Sequence, residues 1–215
     1  MSSFDPCSPR PPIVPPPTGE RPYHHGDLRA ALLAAGEAEL AERGMEAFSL
    51  RQVARRAGVS HAAPAHHFGD ARGLLTALAA EGFRTFLATQ AAREAKAPAD
   101  PRSQLMAAGL GYIDFATARP ALFRLMFGSD RPDPSNTEMQ AAGRAAYQHL
   151  VDQVTAAGCG MQEVAAVWSL AHGFADLMSS GRMFPVLGMA PEAREAMICG
   201  LIGRLLDGAA GTPSP

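Results

Sequence analysis

Residues 49–68 read SLRQVARRAGVSHAAPAHHF, and this stretch decides the fold. Ser49 followed by Gln52 has the spacing of a capping box, and Phe48 and Val53 occupy the two positions of a hydrophobic staple. A helix is therefore expected to begin after Ser49 and to end near Ala57. Gly58 follows, where the turn needs a residue that tolerates positive φ. Ser60 is then expected as the N-cap of a short third helix. Two short helices joined by a tight turn cross steeply. Such a crossing needs a small residue, supplied by Ala54, and inward apolar residues, supplied by Val53, Ala57 and Val59. The joint spacing reads as a helix-turn-helix motif over 49–68.

The charge pattern suits a polyanion. No acidic residue lies between Ser49 and Gly69, whereas Arg51, Arg55, Arg56, His61, His66 and His67 all do. Arginine neutralises phosphates and can pair bidentately with a guanine edge. Free N–H groups after Ser60 also suit a phosphate. Pro64 is the irregular feature. Counted from Ser60, it would be the fourth helical residue, where its ring crowds a carbonyl and a donor is lost. Either the helix is tightened or kinked there, or it starts later.

The pattern is helical on both sides of the motif. A first helix is expected over 26–43, with Leu28, Leu32, Ala35 and Leu40 inward and Gly44 as its left-handed cap. A long helix is expected from Ala71 to Lys96. Others are expected near 102–117, 119–127, 135–157, 161–182 and 191–207. The segments around Pro120, Gly128–Pro134, Gly158–Gly160 and Pro185–Pro191 are read as breaks. The fold class is all-α, with about nine helices. Residues 1–20 hold seven prolines and no apolar period, and read as a disordered, solvated arm. Residues 211–215 read as a disordered tail. The working division is 21–70 for the helix-turn-helix unit and 71–210 for the helices that follow.

Composition narrows the class. The 215-residue chain is 47% hydrophobic and 19% charged, with a net charge of −2, so any DNA-binding surface must be local. Its three cysteines, Cys7, Cys159 and Cys199, are scattered and argue against a disulfide framework or a thiolate metal site. No apolar run has membrane length and no secretory leader pattern is present, so a cytoplasmic, reduced protein is expected. The pairs His24-His25 and His66-His67 are sequence neighbours that point about 100° apart on a helix, not i,i+4 ligand pairs, so no metal is expected. No cofactor motif is present.

Residues 23–82 resemble the DNA-binding domain of the TetR (tetracycline-repressor-like) family. The resemblance rests on Glu42-Arg43-Gly44, on Phe48 through Ala54, on Gly58-Val59-Ser60, and on His66-His67-Phe68-Gly69-Asp70 leading into Leu74-Leu75. Trp168…His172-Gly173 is similar to the "WHG" type of C-terminal domain. The resemblance implies phosphate or base contacts from Arg51. It places His61, Ala62 and Ala63 at base edges and Ala65, His66 and His67 toward the groove and backbone. It also implies phosphate contacts from Tyr23, His24 and His25, with Ser60 at the helix start. Three positions depart from the family pattern. Ala65 stands where an aromatic is usual, Pro64 where an aliphatic residue is usual, and Ala71 where lysine is common, with Arg72 beside it as a substitute.

The C-terminal half is less explicit. Phe115, Phe123, Met126, Phe127, Tyr147 and Trp168 are candidates to line an apolar effector pocket. His172, four residues after Trp168, is either a polar group of that pocket or a satisfied core histidine. Val164, Val167, Ala171 and Ala175 form one stripe at i, i+3, i+7 and i+11, and Ile198, Leu201, Ile202 and Leu205 another at i, i+3, i+4 and i+7. TetR-like proteins pair such helices between two subunits, so these stripes are expected at a homodimer interface. The alternative is burial within one chain. The expected partners are double-stranded operator DNA, a second copy and a small apolar effector. No enzyme is expected, since no paired carboxylates, nucleophile elbow or phosphate loop appears. The rival reading is a helical-bundle small-molecule-binding protein or enzyme with a vestigial helix-turn-helix.

Overall fold

The computed structural model describes residues 25–210 as ten helices, with no strand among the described residues. They are α1 (His25–Arg43), α2 (Leu50–Ala57), α3 (Ala63–Phe68), α4 (Ala71–Glu94) and α5 (Pro101–Ala118). Then follow α6 (Pro120–Phe127), α7 (Thr137–Ala156), α8 (Met161–Ser179), α9 (Phe184–Leu187) and α10 (Pro191–Ala210). The expected arm over 1–20, the tail over 211–215, and Tyr23 and His24 lie outside the described residues. The extra helix is α9, a single turn in the segment read as a break. Pro185 is its second residue, where a missing N–H costs no helical hydrogen bond.

Side-chain caps fix several helix starts. Asp70 accepts from the Gly73 N–H at 2.8 Å, Asp100 from Ser103 at 2.9 Å, and Asn136 from Met139 at 2.9 Å. The capping box expected at Ser49 does not form. Ser49 has the extended backbone of an N-cap, but its side chain makes no capping bond. Gln52 Oε1 is instead buried without a partner. The start of α2 rests on the apolar pair: Val53 is fully buried and Phe48 packs against the same core.

Helices α1 to α3 share a small core with the first half of α4. Leu32, Leu40, Val53, Ala54, Leu74 and Leu78 are essentially inaccessible. Gly58 closes α2 at φ +66°, which a Cβ would disfavour. Its N–H bonds Arg55 O, and the next N–H, from Val59, reaches back to Ala54 O.

An ion-paired brace also joins α1 to α2. Arg56 Nε donates to Glu39 Oε2 at 2.8 Å, and its Nη2 donates to Glu42. Glu39 is only 2% exposed. The Arg56 guanidinium holds the Glu42 carboxyl below its ordinary value of 4.5. The Arg56–Glu42 arm is therefore intact at neutral pH and is lost as pH falls below that value. Arg56→Ala leaves the Glu39 carboxylate buried and unpaired, so a lower Tm is expected. Adding Glu39→Leu removes the stranded charge and should recover much of the loss. Thermal unfolding of the single and double variants checks this.

The rest of the chain packs around α4 and α5. These two approach closely at Gly111, where a Cβ would sit 2.6 Å from Gln90 Cα. Arg93, near the end of α4, donates to Asp114 on α5 at 2.6 Å and to Glu195 on α10 at 2.9 Å. Those two carboxylates push the Arg93 guanidinium above its ordinary value. Glu94 pairs with His149 Nε2 on α7 at 2.7 Å. One helix thus carries both the underside of the helix-turn-helix and a wall of the C-terminal bundle.

Candidate nucleic-acid interface and effector cavity

Arg51 and Arg55 lie one turn apart on α2, and both are exposed. Neither makes an ion pair among the described residues. Arg56 belongs to the brace, so the basic face read from the sequence loses one of its three arginines. Sequence could not separate them, because the acids that capture Arg56 lie 14 and 17 residues earlier on α1.

The second helix of the motif starts later than Ser60. Ala62 is its cap, Ala63 its first residue and Pro64 its second. Pro64 therefore sits where no helical hydrogen bond needs its N–H. Its ring is buried, filling the place of the expected aliphatic residue. Ser60, His61 and Ala62 lie in the preceding turn and are exposed, so Ser60 is not the N-cap. Ala63 N–H reaches Ser60 O at 3.0 Å and His66 N–H reaches Ala62 O at 3.0 Å, the first full helical bond.

Of the remaining positions, Ala65, His66 and Arg72 are exposed and Ala63 is half-buried. His67 is half-buried and lines the cleft between α1 and α4, together with Arg29 and Glu37. The backbone of His25 opens α1, and its side chain is not among those described.

A cavity of about 470 Å³ lies between α4, α5, α7 and α8, with the end of α6 against it. Phe83, Phe86, Tyr112, Phe127, Tyr147 and Trp168 supply its aromatic walls. The Tyr147 and Trp168 rings lie 5.8 Å apart and are each 41% exposed, so they mark its solvent side. Its polar wall groups include Gln90, His149, Gln153 and Arg144. The Tyr112 hydroxyl is 2.8 Å from His172 Nδ1. Burial pushes the Tyr112 phenol well above its ordinary value, so it stays neutral.

The sequence-derived pocket residues therefore divide. Phe127, Tyr147 and Trp168 stand on the cavity. Phe115 and Phe123 are core residues, 1% and 2% exposed. Met126 packs near Gly82. His172 sits behind the wall as the partner of Tyr112. Phe83, Phe86 and Gln90 were missed, although they share a face of α4 at i, i+3 and i+7. A glutamine on such an apolar stripe was the available signal.

The dimer stripes need correction. Val164, Val167, Ala171, Ala175, Ile198 and Ile202 are all buried inside one chain, at 5% exposure or less. Their partners are one another and α5. Only Leu201 and Leu205 remain half-exposed.

Two family models match the chain. Residues 32–78 match the model described as bacterial regulatory proteins, tetR family, and residues 105–204 match the tetracyclin repressor-like C-terminal domain. Together they span most of the described fold. The chain belongs to the TetR family. A solved structure of matching architecture is that of a transcriptional regulator from Rhodococcus sp. Rha1, 26% identical. That match covers 86% of this chain and 98% of the other, with a TM-score of 0.61. A second Rhodococcus sp. RHA1 protein, described as of unknown function, is 33% identical with a TM-score of 0.74, over 89% of this chain and all of its own. The HTH-type transcriptional regulator BetI of Burkholderia ambifaria is 38% identical over 79 residues, which are 37% of this chain. The match spans only 41% of that curated relative's length. A TetR variant of Acinetobacter baumannii in complex with minocycline shares the fold, at 22% identity and a TM-score of 0.53 over 84% of this chain and 94% of its own.

Proposed function

We propose that this TetR-family protein is a dimeric, ligand-released repressor that binds a near-palindromic operator through residues 49–72. The observation that carries this reading is the unpaired Arg51–Arg55 edge of α2, next to the exposed His61, Ala62, Ala65 and His66. Such a surface offers arginines to phosphates and small side chains to thymine methyls. The division into a DNA-binding unit over 21–70 and an effector and dimer unit over 71–210 follows the same reading. The protein acts as a regulator in the cytoplasm rather than as an enzyme. No helix among the described residues is long and apolar enough to cross a membrane.

The homodimer is assigned to the outward positions of α8 and α10. Ala165, Ser169 and Leu177 are exposed on α8, and Ala193, Ala196 and Arg204 on α10, flanked by the half-buried Leu201 and Leu205. Such a pairing sets two α3 helices about one DNA turn, roughly 34 Å, apart. An effector in the cavity presses on α4, which also carries the floor of the helix-turn-helix. A near-complete switch between two states requires about 5.5 kcal/mol of differential binding.

Selection of duplexes from a random library tests the reading. The protein should enrich a near-palindrome with half-sites about one turn apart. Enrichment of no sequence, or of an unsymmetrical one, contradicts it.

A further inference from the structure

Gln90 is a deeply buried polar side chain in the cavity wall, at 6% exposure. Its amide orientation is fixed by chemistry. Nε2 donates to the Ala108 carbonyl at 3.1 Å, and a carbonyl cannot donate in return. Oε1 is therefore held on the other side of the amide, itself buried and without a hydrogen-bond partner among the described residues. A buried acceptor without a donor is costly, and the great majority of such groups in native proteins are satisfied. The close approach at Gly111 leaves the Gln90 backbone no room to withdraw.

The neighbouring polar group on this wall is already engaged with protein. Tyr112 lies one turn after Ala108 on α5, and its neutral hydroxyl already shares its hydrogen bond with His172 at 2.8 Å. The surrounding wall is aromatic, from Phe83, Phe86 and Phe127. Other polar groups nearby are engaged with protein: His149 Nε2 meets Glu94 at 2.7 Å, and Gln153 donates to Glu94 at 3.3 Å. Arg144 lines the exposed side of the cavity, where it donates to Gln140 at 3.4 Å.

We propose that the cavity selects an uncharged, largely apolar molecule that carries a hydrogen-bond donor, a hydroxyl or N–H, and that Gln90 Oε1 accepts it. This rests on the reading of the cavity as an effector site. It adds a chemical class and names a specificity-determining residue. An apolar molecule without a donor fills the same space but leaves Gln90 unsatisfied, and a site built around a polar group discriminates against such an analogue.

The test compares 4-phenylphenol with its methyl ether, 4-methoxybiphenyl. The two share an apolar body and differ in the donor. Trp168 is the sole tryptophan of the chain and stands on the cavity wall, so its fluorescence reports occupancy, with thermal shift as a second readout. The full-length protein should bind the phenol about tenfold or more tightly than the ether. Gln90→Met keeps the length of the side chain and removes the acceptor, and should bring the two affinities together. Equal affinities in the unsubstituted protein overturn the role of Gln90, as expected if a trapped water serves Oε1, and leave the cavity reading standing. A preference for the phenol that survives in Gln90→Met also overturns it. Absence of binding by either compound overturns the cavity reading, and this proposal with it. The comparison within the unsubstituted protein decides the matter even if Gln90→Met fails to fold.

Discussion

Replacing Arg51 and Arg55 together with alanine should cost roughly a hundredfold in operator affinity at moderate salt. Both side chains are exposed and make no ion pair among the described residues, so neither is needed to hold the described fold. A hydrogen bond to a charged group contributes about 1.5–3 kcal/mol, which is about tenfold or more for each arginine. The salt dependence is the sharper readout. Each arginine withdrawn from a phosphate lowers the slope of log K against log salt by about 0.9, so the slope of the double variant should fall by about two. Lys96→Ala, beyond the far end of α4, should leave both values unchanged. An unaltered slope in the double variant removes these arginines from the phosphate-binding surface. Arg56→Ala should act differently, through stability, because its guanidinium is bound to Glu39 and Glu42.

The largest stability effect is expected from Phe123→Ala. Phe123 is 2% exposed on α6, and its ring lies 5.0 Å from Phe127, 5.4 Å from His172 and 6.0 Å from Tyr112, centre to centre. Truncating such a side chain removes buried apolar surface and leaves a void, at about 3–5 kcal/mol. For a chain of this size each kcal/mol lowers Tm by about 2–4 °C, so a fall of roughly 6–20 °C is expected. Phe184→Ala, at a residue 76% exposed on α9, should change stability by no more than about 0.5 kcal/mol in the isolated chain. Differential scanning calorimetry distinguishes the two. A small change at Phe123 would mean that its ring lines a cavity rather than fills the core.

The contrast between these two phenylalanines shows where the sequence stops being informative. Helical periodicity located nearly every long helix, because an apolar stripe at i, i+3, i+4 is a property of the chain alone. It could not say what a stripe packs against. Val164 through Ala175 and Ile198 through Ile202 satisfy one another and α5 within a single chain, yet the same spacing suits a subunit interface. Ser49 and Gln52 show a second limit. Their spacing permits a capping box, but Val53 and Phe48 already hold the start of α2, and Gln52 is drawn inward. Pro64 was legible as an irregularity because its chemistry is local. The structure selects the later of the two possible starts, which makes the proline ordinary at N2. The cavity was least legible, since its walls come from α4, α5, α6, α7 and α8, and only their packing brings Gln90 beside Tyr112.

The most direct measurement is fluorescence anisotropy of the full-length protein on a labelled duplex from the region upstream of its own gene. Two protomers should bind per duplex, with unlabelled specific DNA competing and a scrambled duplex of equal length failing to compete. Absence of binding, or equal competition by the scrambled duplex, would contradict sequence-specific recognition through α2 and α3.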